Sequence, residues 1–171
     1  CGPMQTATPS GKRYVVTLID DFTNFTVVEL LSRKSEVEQT FRNFVIFCRT
    51  HFGRTPKMIR SDRGGEYTGK SFNEFLKSEG IQIQLTAPFT PQQNGKAERK
   101  NRTLIEMARC LLIDAKLPNT FWGEAVSTAN YIQNRVFTRS TNSTPYELWY
   151  GLKPGLKQFH IFGSKCFVHI P

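Results

Sequence analysis

Ile59-Arg60-Ser61-Asp62-Arg63-Gly64-Gly65-Glu66-Tyr67 is the stretch on which the reading of this chain turns. Lys57 to Ser61 has strand character and delivers Asp62. Gly64-Gly65 lets the backbone turn at once, so the carboxylate is expected to project from a sheet edge, where clefts form. A second phrase, Pro91-Gln92-Gln93-Asn94-Gly95-Lys96-Ala97-Glu98, ends on another acid 36 positions later. Gly95 sits just before a helix that Glu98 opens, and Lys96, Arg99, Lys100 and Arg102 surround that acid with four cations. Among 14 acidic residues a chance pair at this interval is commonplace. Taken singly, Asp62 reads as a turn or capping residue and Glu98 as an exposed partner of Arg102 at i+4. Taken together, with the loop and the glycine between them, they read as ligands for a divalent cation beside an anionic polymer.

Composition narrows the partner. A chain of 171 residues suffices for one domain, which buries roughly 70% of the surface its unfolded form exposes. Lys and Arg number 23 against 14 Asp and Glu, a net charge of +9, and the excess lies downstream: 12 cations and 9 anions through Gly95, then 11 and 5. Charge alone is compatible with acidic membranes or ribosomes as well as nucleic acid. The glutamate embedded in the basic segment favours nucleic acid. Cys1, Cys48, Cys110 and Cys166 lack zinc-type spacing and a disulfide-rich context, so they read as buried free thiols in a reducing, intracellular setting. His51, His160 and His169 supply no substitute zinc set. No apolar run approaches the roughly 20 residues needed to cross a bilayer, and Cys1-Gly2-Pro3-Met4 reads as an internal cut rather than a signal peptide.

Periodicity gives the element order. Val15 to Ile19 and Phe25 to Leu31 are β-branched runs around the turn formers Asp20-Asp21-Phe22-Thr23-Asn24, which predicts a hairpin. From Ser35 the apolar residues Val37, Phe41, Phe44, Val45, Phe47 and Cys48 recur at helical spacing, with Ser35 and Glu38 as a capping box and an end near Gly53. A strand over 57–61, a short helix over 71–78 with Phe72, Phe75 and Leu76 on one face, and a strand over 81–85 follow. Thr86 to Asn94 reads as a mobile loop. The long helix after it has a buried stripe of Ala97, Leu104, Ile105, Ala108, Leu111 and Leu112, with Glu98, Arg102 and Arg109 on another face. Phe121 to Tyr131 predicts a further helix ending about Asn134, Thr144-Pro145 with Glu147 begins a short one, and Lys165 to Ile170 resembles a final strand. This order suits a mixed α/β sheet flanked by helices.

Asp62, 35 intervening residues and Glu98 resemble the second and third members of the acidic triad of retroviral and retrotransposon integrases. Tyr14-Val15-Val16-Thr17-Leu18-Ile19-Asp20-Asp21-Phe22, the run Thr120 to Val126, Asn134-Arg135, the run Thr144 to Pro154 and Phe162-Gly163 are all similar to the copia-type branch. The resemblance covers nearly the whole chain. It implies a ribonuclease H-like fold, a mixed five-stranded sheet with helices on both faces. Residues 1–136 would form the catalytic core, with the first strand largely truncated, and 137–171 an extension, itself truncated. The family's first triad Asp sits two residues ahead of the cysteine matching Cys1. This chain is therefore expected to hold two of three metal-binding carboxylates and to be inactive alone. Asp20 and Asp21 are poor substitutes, because adjacent residues of a strand face opposite ways and the pair sits at a turn.

The implied chemistry is in-line phosphoryl transfer with two Mg²⁺ or Mn²⁺ ions: trimming of DNA 3′ ends, then strand transfer. Two divalent ions about 4 Å apart at an effective dielectric near 20 repel by on the order of 16 kcal/mol. Three carboxylates and the scissile phosphate can balance that charge, whereas two carboxylates cannot. Pro88 to Gly95 is similar to the integrase loop that grips the donor DNA end. There Phe89 either stacks on a base or anchors in the core, and Asn94 hydrogen-bonds near the scissile phosphate. Lys96, Arg99, Lys100 and Arg102 contact phosphates or form a solvated face. Glu66 reads as a neighbour of the site or a surface residue. Phe121, Trp122, Tyr131, Tyr146 and Trp149 read as packing. The partners implied are element and target DNA and a homo-multimer, with the nucleus as site of action. A non-catalytic DNA-binding module that keeps the fold is the alternative, and a related nuclease that cuts without joining is a third reading.

Overall fold

The computed structural model describes residues 1–86, 95–139 and 141–167. They form two compact units: Cys1–Leu30 with the chain from Lys100 onward, and Leu31–Arg99.

The first unit begins with a hairpin, as the β-branched runs predict. Strands β1 (Tyr14–Ile19) and β2 (Thr26–Leu31) pair, and the link between them is too short for a parallel crossover. Its turn is held by Asp20, whose Oδ2 accepts from the Thr23 amide at 2.8 Å and the Thr23 hydroxyl at 2.7 Å. Asn24 takes the left-handed conformation at φ 60°, which asparagine tolerates better than most residues. The expectation that Asp20 serves the turn is met. Cys1 exchanges both backbone hydrogen bonds with Val15, at 2.8 and 3.0 Å. That is one antiparallel rung on β1.

Helices α4 (Gly95–Asp114), α5 (Trp122–Gln133) and α6 (Pro145–Tyr150) follow. Leu104, Ala108 and Leu112 are the buried residues of α4, at the i, i+4 spacing of the predicted stripe. Ala108 and Leu112 join Val15, Trp122, Ala125 and Val126 in one apolar cluster. Gly123 is required by close approach, because a Cβ there would lie 2.6 Å from Leu30 Cδ1 and 2.8 Å from Thr8 Cγ2. Thr144 caps α6 by accepting from the Glu147 amide at 3.1 Å, with Pro145 in the first turn. That is the short helix expected from Thr144-Pro145. The aromatic residues pack, as expected, in separate places. Trp122 Nε1 donates to the Thr6 carbonyl at 2.9 Å, Trp149 stacks on Phe25, and Arg135 lies over the rings of Tyr131 and Tyr146.

Asn134, just after α5, is 3% exposed and grips β2. Its Oδ1 accepts from the Thr26 amide at 2.9 Å and its Nδ2 donates to the Thr26 carbonyl at 2.8 Å. One side-chain amide thus takes the place of a neighbouring strand for Thr26, satisfying a buried donor and acceptor together. This gives the Asn134 of the family-like phrase a structural reason.

The second unit contains α1 (Val37–Phe52), β3 (Met58–Ser61), α2 (Gly65–Thr68), α3 (Lys70–Ser78) and β4 (Gln82–Leu85). The predicted face of α1 is buried at Val37, Phe41, Val45 and Cys48, and Gly53 closes the helix at φ 61°. Phe72, fully buried, stands edge-on to Phe41 at 5.6 Å and to Tyr67 at 6.1 Å. β3 and β4 run parallel, with Met58 opposite Gln82 and Ser61 opposite Leu85.

Three expectations are corrected. The capping box falls two residues early, on Arg33 and Glu36: Glu36, not Glu38, accepts from the amides of Ser32 and Arg33, at 3.2 and 3.0 Å. A 3-10 turn at Lys34–Glu36 precedes α1 and shifts the start, leaving Glu38 to bind Arg42 and the Ser71 hydroxyl. Only Cys48 of the four free cysteines is buried, because Cys1, Cys110 and Cys166 fall on exposed positions. Lys165–Phe167 forms no strand, and Phe167 is 98% exposed. The rest of that predicted strand lies outside the described residues. Four strands in two pairs are present among the described residues.

Because Asn134 supplies both a donor and an acceptor to one buried peptide, Asn134→Asp is expected to destabilise the fold by about 2–3 kcal/mol. Urea unfolding checks this.

Candidate active site

Strand alternation decides where Asp62 faces. Along β3, Met58 and Arg60 are exposed while Ile59 is half-buried and Ser61 is buried. The ladder runs one bond beyond β4, from the Thr86 amide to the Ser61 carbonyl at 3.0 Å. Asp62 therefore continues the exposed series of Met58 and Arg60, and it is itself exposed. Its Oδ1 accepts from the Gly64 amide at 3.0 Å, which is the turn role that the residue has when taken alone. The other carboxylate oxygen remains available to a ligand. The backbone turns at this pair, as expected, with the Tyr67 amide donating to the Gly64 carbonyl at 2.9 Å and neither glycine in a left-handed conformation.

Glu98 lies in the first turn of α4 and is exposed. It makes no ion pair with Arg102 among the described residues, so the i+4 pairing is not formed. Carboxylates facing solvent without a cationic side chain are chemically suited to a hard divalent ion, which takes oxygen ligands and keeps waters. Among the described residues no group of three or more His, Cys, Asp or Glu is placed to hold a metal. Asp62 and Glu98, the two acids that the sequence offers as ligands, are both exposed.

The cations divide by environment. Arg99 and Arg102 are exposed, while Lys96 and Lys100 are half-buried. Lys100 Nζ donates to Gln133 Oε1 at 3.4 Å, so part of its role is packing. Phe89 and Asn94 lie outside the described residues. Glu66 is half-buried in α2 beside the Asp62 turn. Sequence reading did not single out Arg60, Arg63 or Tyr67. The period-2 series Met58, Arg60, Asp62 was the signal available for the first of them. Tyr67 follows α2 onto Phe72, and its phenol is pushed up from 10.0 to about 12, first by burial and then by the charges of Asp62 and Glu66. The turn carrying Asp62 is thereby tied to the aromatic core of its unit.

With the geometry in place, comparison with known proteins identifies the class. The structure superimposes on a chain of the simian T-cell lymphotropic virus intasome in complex with PP2A regulatory subunit B56 gamma, with TM-score 0.64, 20% identity, and 92% of this chain and 54% of that one covered. It also superimposes on the HTLV-2 integrase catalytic core domain in complex with magnesium, trimeric form, with TM-score 0.60, 19% identity, and coverage of 78% and 82%. The fold is a ribonuclease H-like integrase catalytic core.

The integrase core domain family model matches residues 2–91, and the chain belongs to that family. It is 42% identical over 172 residues to the retrovirus-related Pol polyprotein from transposon TNT 1-94 of Nicotiana tabacum, covering 100% of this chain. It is 34% identical over 156 residues to that from transposon RE2 of Arabidopsis thaliana, covering 91% of it. These are copia-type relatives, and the chain spans only 13% and 11% of their lengths. No helix among the described residues is long and apolar enough to cross a membrane.

The raised Tyr67 pKa has a measurable sign. A folded value above the unfolded one means that the neutral phenol's contribution to stability is complete below the unfolded value of 10.0 and is lost as pH rises through about 12. Ultraviolet titration is expected to show a late-ionising tyrosine component that is absent in Tyr67→Phe. An unchanged titration curve in Tyr67→Phe contradicts the assignment.

Proposed function

We propose that this chain is the catalytic-core segment of a retrotransposon integrase that processes DNA 3′ ends and joins them to target DNA. The single observation carrying this reading is that Asp62 and Glu98, read from the sequence as the two ligands, belong to a chain of the integrase core family. In the described structure both are exposed acids without an ion-pair partner.

Mg²⁺ or Mn²⁺, two ions in the intact site, would be held by Asp62 and Glu98 together with a third carboxylate two positions ahead of Cys1. Bound there, the metal supplies charge neutralisation at the phosphate and lowers the pKa of the attacking hydroxyl or water. The chain's own residues do the rest. Asp62 and Glu98 present acceptor-only oxygens. The free oxygen of Asp62 keeps its direction because Gly64 holds the other. Lys96, Arg99, Lys100 and Arg102 offset the charge of the DNA backbone, and Phe89 and Asn94 contact the donor end. Residues 1–136 serve as the core and 137–171 as its extension. The protein acts as a homo-multimer on paired DNA ends, in the nucleus.

The 171-residue segment alone is expected to show little or no strand transfer. A segment lengthened upstream to include that Asp should join a matching DNA end to target in Mn²⁺, and Asp62→Asn in the longer form should lower the rate by at least 100-fold. Inactivity of the longer form with the correct end would count against the reading. Joining that survives Asp62→Asn would do the same.

A further inference from the structure

We propose that Arg60 and Arg63 form a phosphodiester-binding fork on either side of Asp62, a DNA-backbone site separate from the basic turn of α4. It rests on the nucleic-acid reading above and adds a contact that reading does not contain. Both arginines are exposed, and both are fastened from the β4 side through one nitrogen only. Arg60 Nε donates to Gln84 Oε1 at 3.0 Å across the β3–β4 pair, at the rung where Arg60 stands opposite Gln84. Arg63 Nε donates to the Thr86 carbonyl at 3.1 Å, immediately past the end of β4. In each case Nη1 and Nη2 have no partner among the described residues.

This arrangement matters because of what it leaves undone. Two guanidinium groups lie two positions before and one after an exposed carboxylate, and neither ion-pairs with it. A solvated arginine beside an acid ordinarily moves freely enough to sample that pairing, at little energetic gain. Here the Nε bonds hold the stems and orient the terminal nitrogens, and a planar guanidinium so held matches two phosphate oxygens at once. Asp62 is left for a cation, and the forks are left for an anion. A polynucleotide backbone laid along the exposed face of β3 offers both phosphates to the arginines and a phosphate near the cation.

The unaltered 171-residue chain, binding a fluorescent DNA duplex in EDTA, tests this without any need for metal or turnover. Each lost phosphate contact flattens the slope of log K against log salt by about 0.9. Arg60→Gln and Arg63→Gln are each expected to show that change, so the loss of affinity is about three- to fourfold greater at 50 mM than at 200 mM salt. Arg60→Lys and Arg63→Lys should keep the slope. Arginine-specific dicarbonyl labelling of the unaltered chain, read by peptide mass, gives a result independent of folding defects. DNA should protect Arg60 and Arg63. Unchanged slopes in both Gln variants, or labelling of both arginines in saturating DNA, overturn the fork. If Arg102→Gln still flattens the slope in that case, the nucleic-acid reading stands and only the fork fails. A chain with no salt-dependent DNA binding overturns both.

Discussion

Everything proposed for the site depends on the register of β3 against β4. Side chains alternate along a strand, so a slip of one residue would exchange the faces of the whole series. The observed pairing, Met58 with Gln82 through Ser61 with Leu85, buries Ser61 and sends Arg60 and Asp62 to the exposed face. Two further bonds extend the ladder at its ends, Gln82 amide to Lys57 carbonyl and Thr86 amide to Ser61 carbonyl, each 3.0 Å. They bring the pairing up to the candidate ligand itself. Beyond it, the Gly64 amide and the Tyr67 ring secure the turn, one by a hydrogen bond and one by packing on Phe72. A short parallel pair of strands is a weak element by itself. The buried aromatic side chains of α1 and α3 supply the apolar burial that two four-residue strands lack.

In the other unit a comparable constraint comes from one polar side chain. Asn134 and Asn130 both reach Thr26, so the end of α5 is locked to the start of β2 by hydrogen bonds in a buried place. Gly123 allows the same helix to approach Leu30 and Thr8 more closely than any larger residue would. Helix α5 is thus fixed at both ends, once by a missing side chain and once by an amide that imitates a strand. The Asn134-Arg135 phrase that pointed to a family therefore reports fold as well as ancestry. Arg135, set over two tyrosine rings, caps the same corner.

Much of this was legible in the sequence, for physical reasons that differ from element to element. The hairpin, α1, α4 and α5 have apolar positions at clear strand or helical spacing, and burial follows that spacing closely. Asp62 and Glu98 stand out in the sequence because each sits in a phrase rather than alone, and the structure shows of them their exposure. The capping box was misplaced because Glu36 and Glu38 are both within reach of a serine in the preceding turn, and periodicity does not locate a 3-10 turn. The cysteines were misjudged because thiol burial depends on which face of an element a residue takes, and Cys110 falls on the outer face of α4. Arg60 and Arg63 were not singled out because surface arginines look alike in sequence. Only the pairing of β3 with β4 shows that each is held through Nε. The pKa of Tyr67 likewise arises from burial and from two charges that only the fold assembles.

The central claim is that Asp62 and Glu98 bind one divalent cation together. Titration of Mn²⁺ into the chain, followed by electron paramagnetic resonance, measures this directly when Asp62→Asn, Glu98→Gln and the double variant are compared. If the two acids share an ion, each single change should weaken binding and the double change should add little, because either loss already removes the shared site. Losses that simply add, or a single variant that binds Mn²⁺ as well as the unaltered chain, would contradict the account.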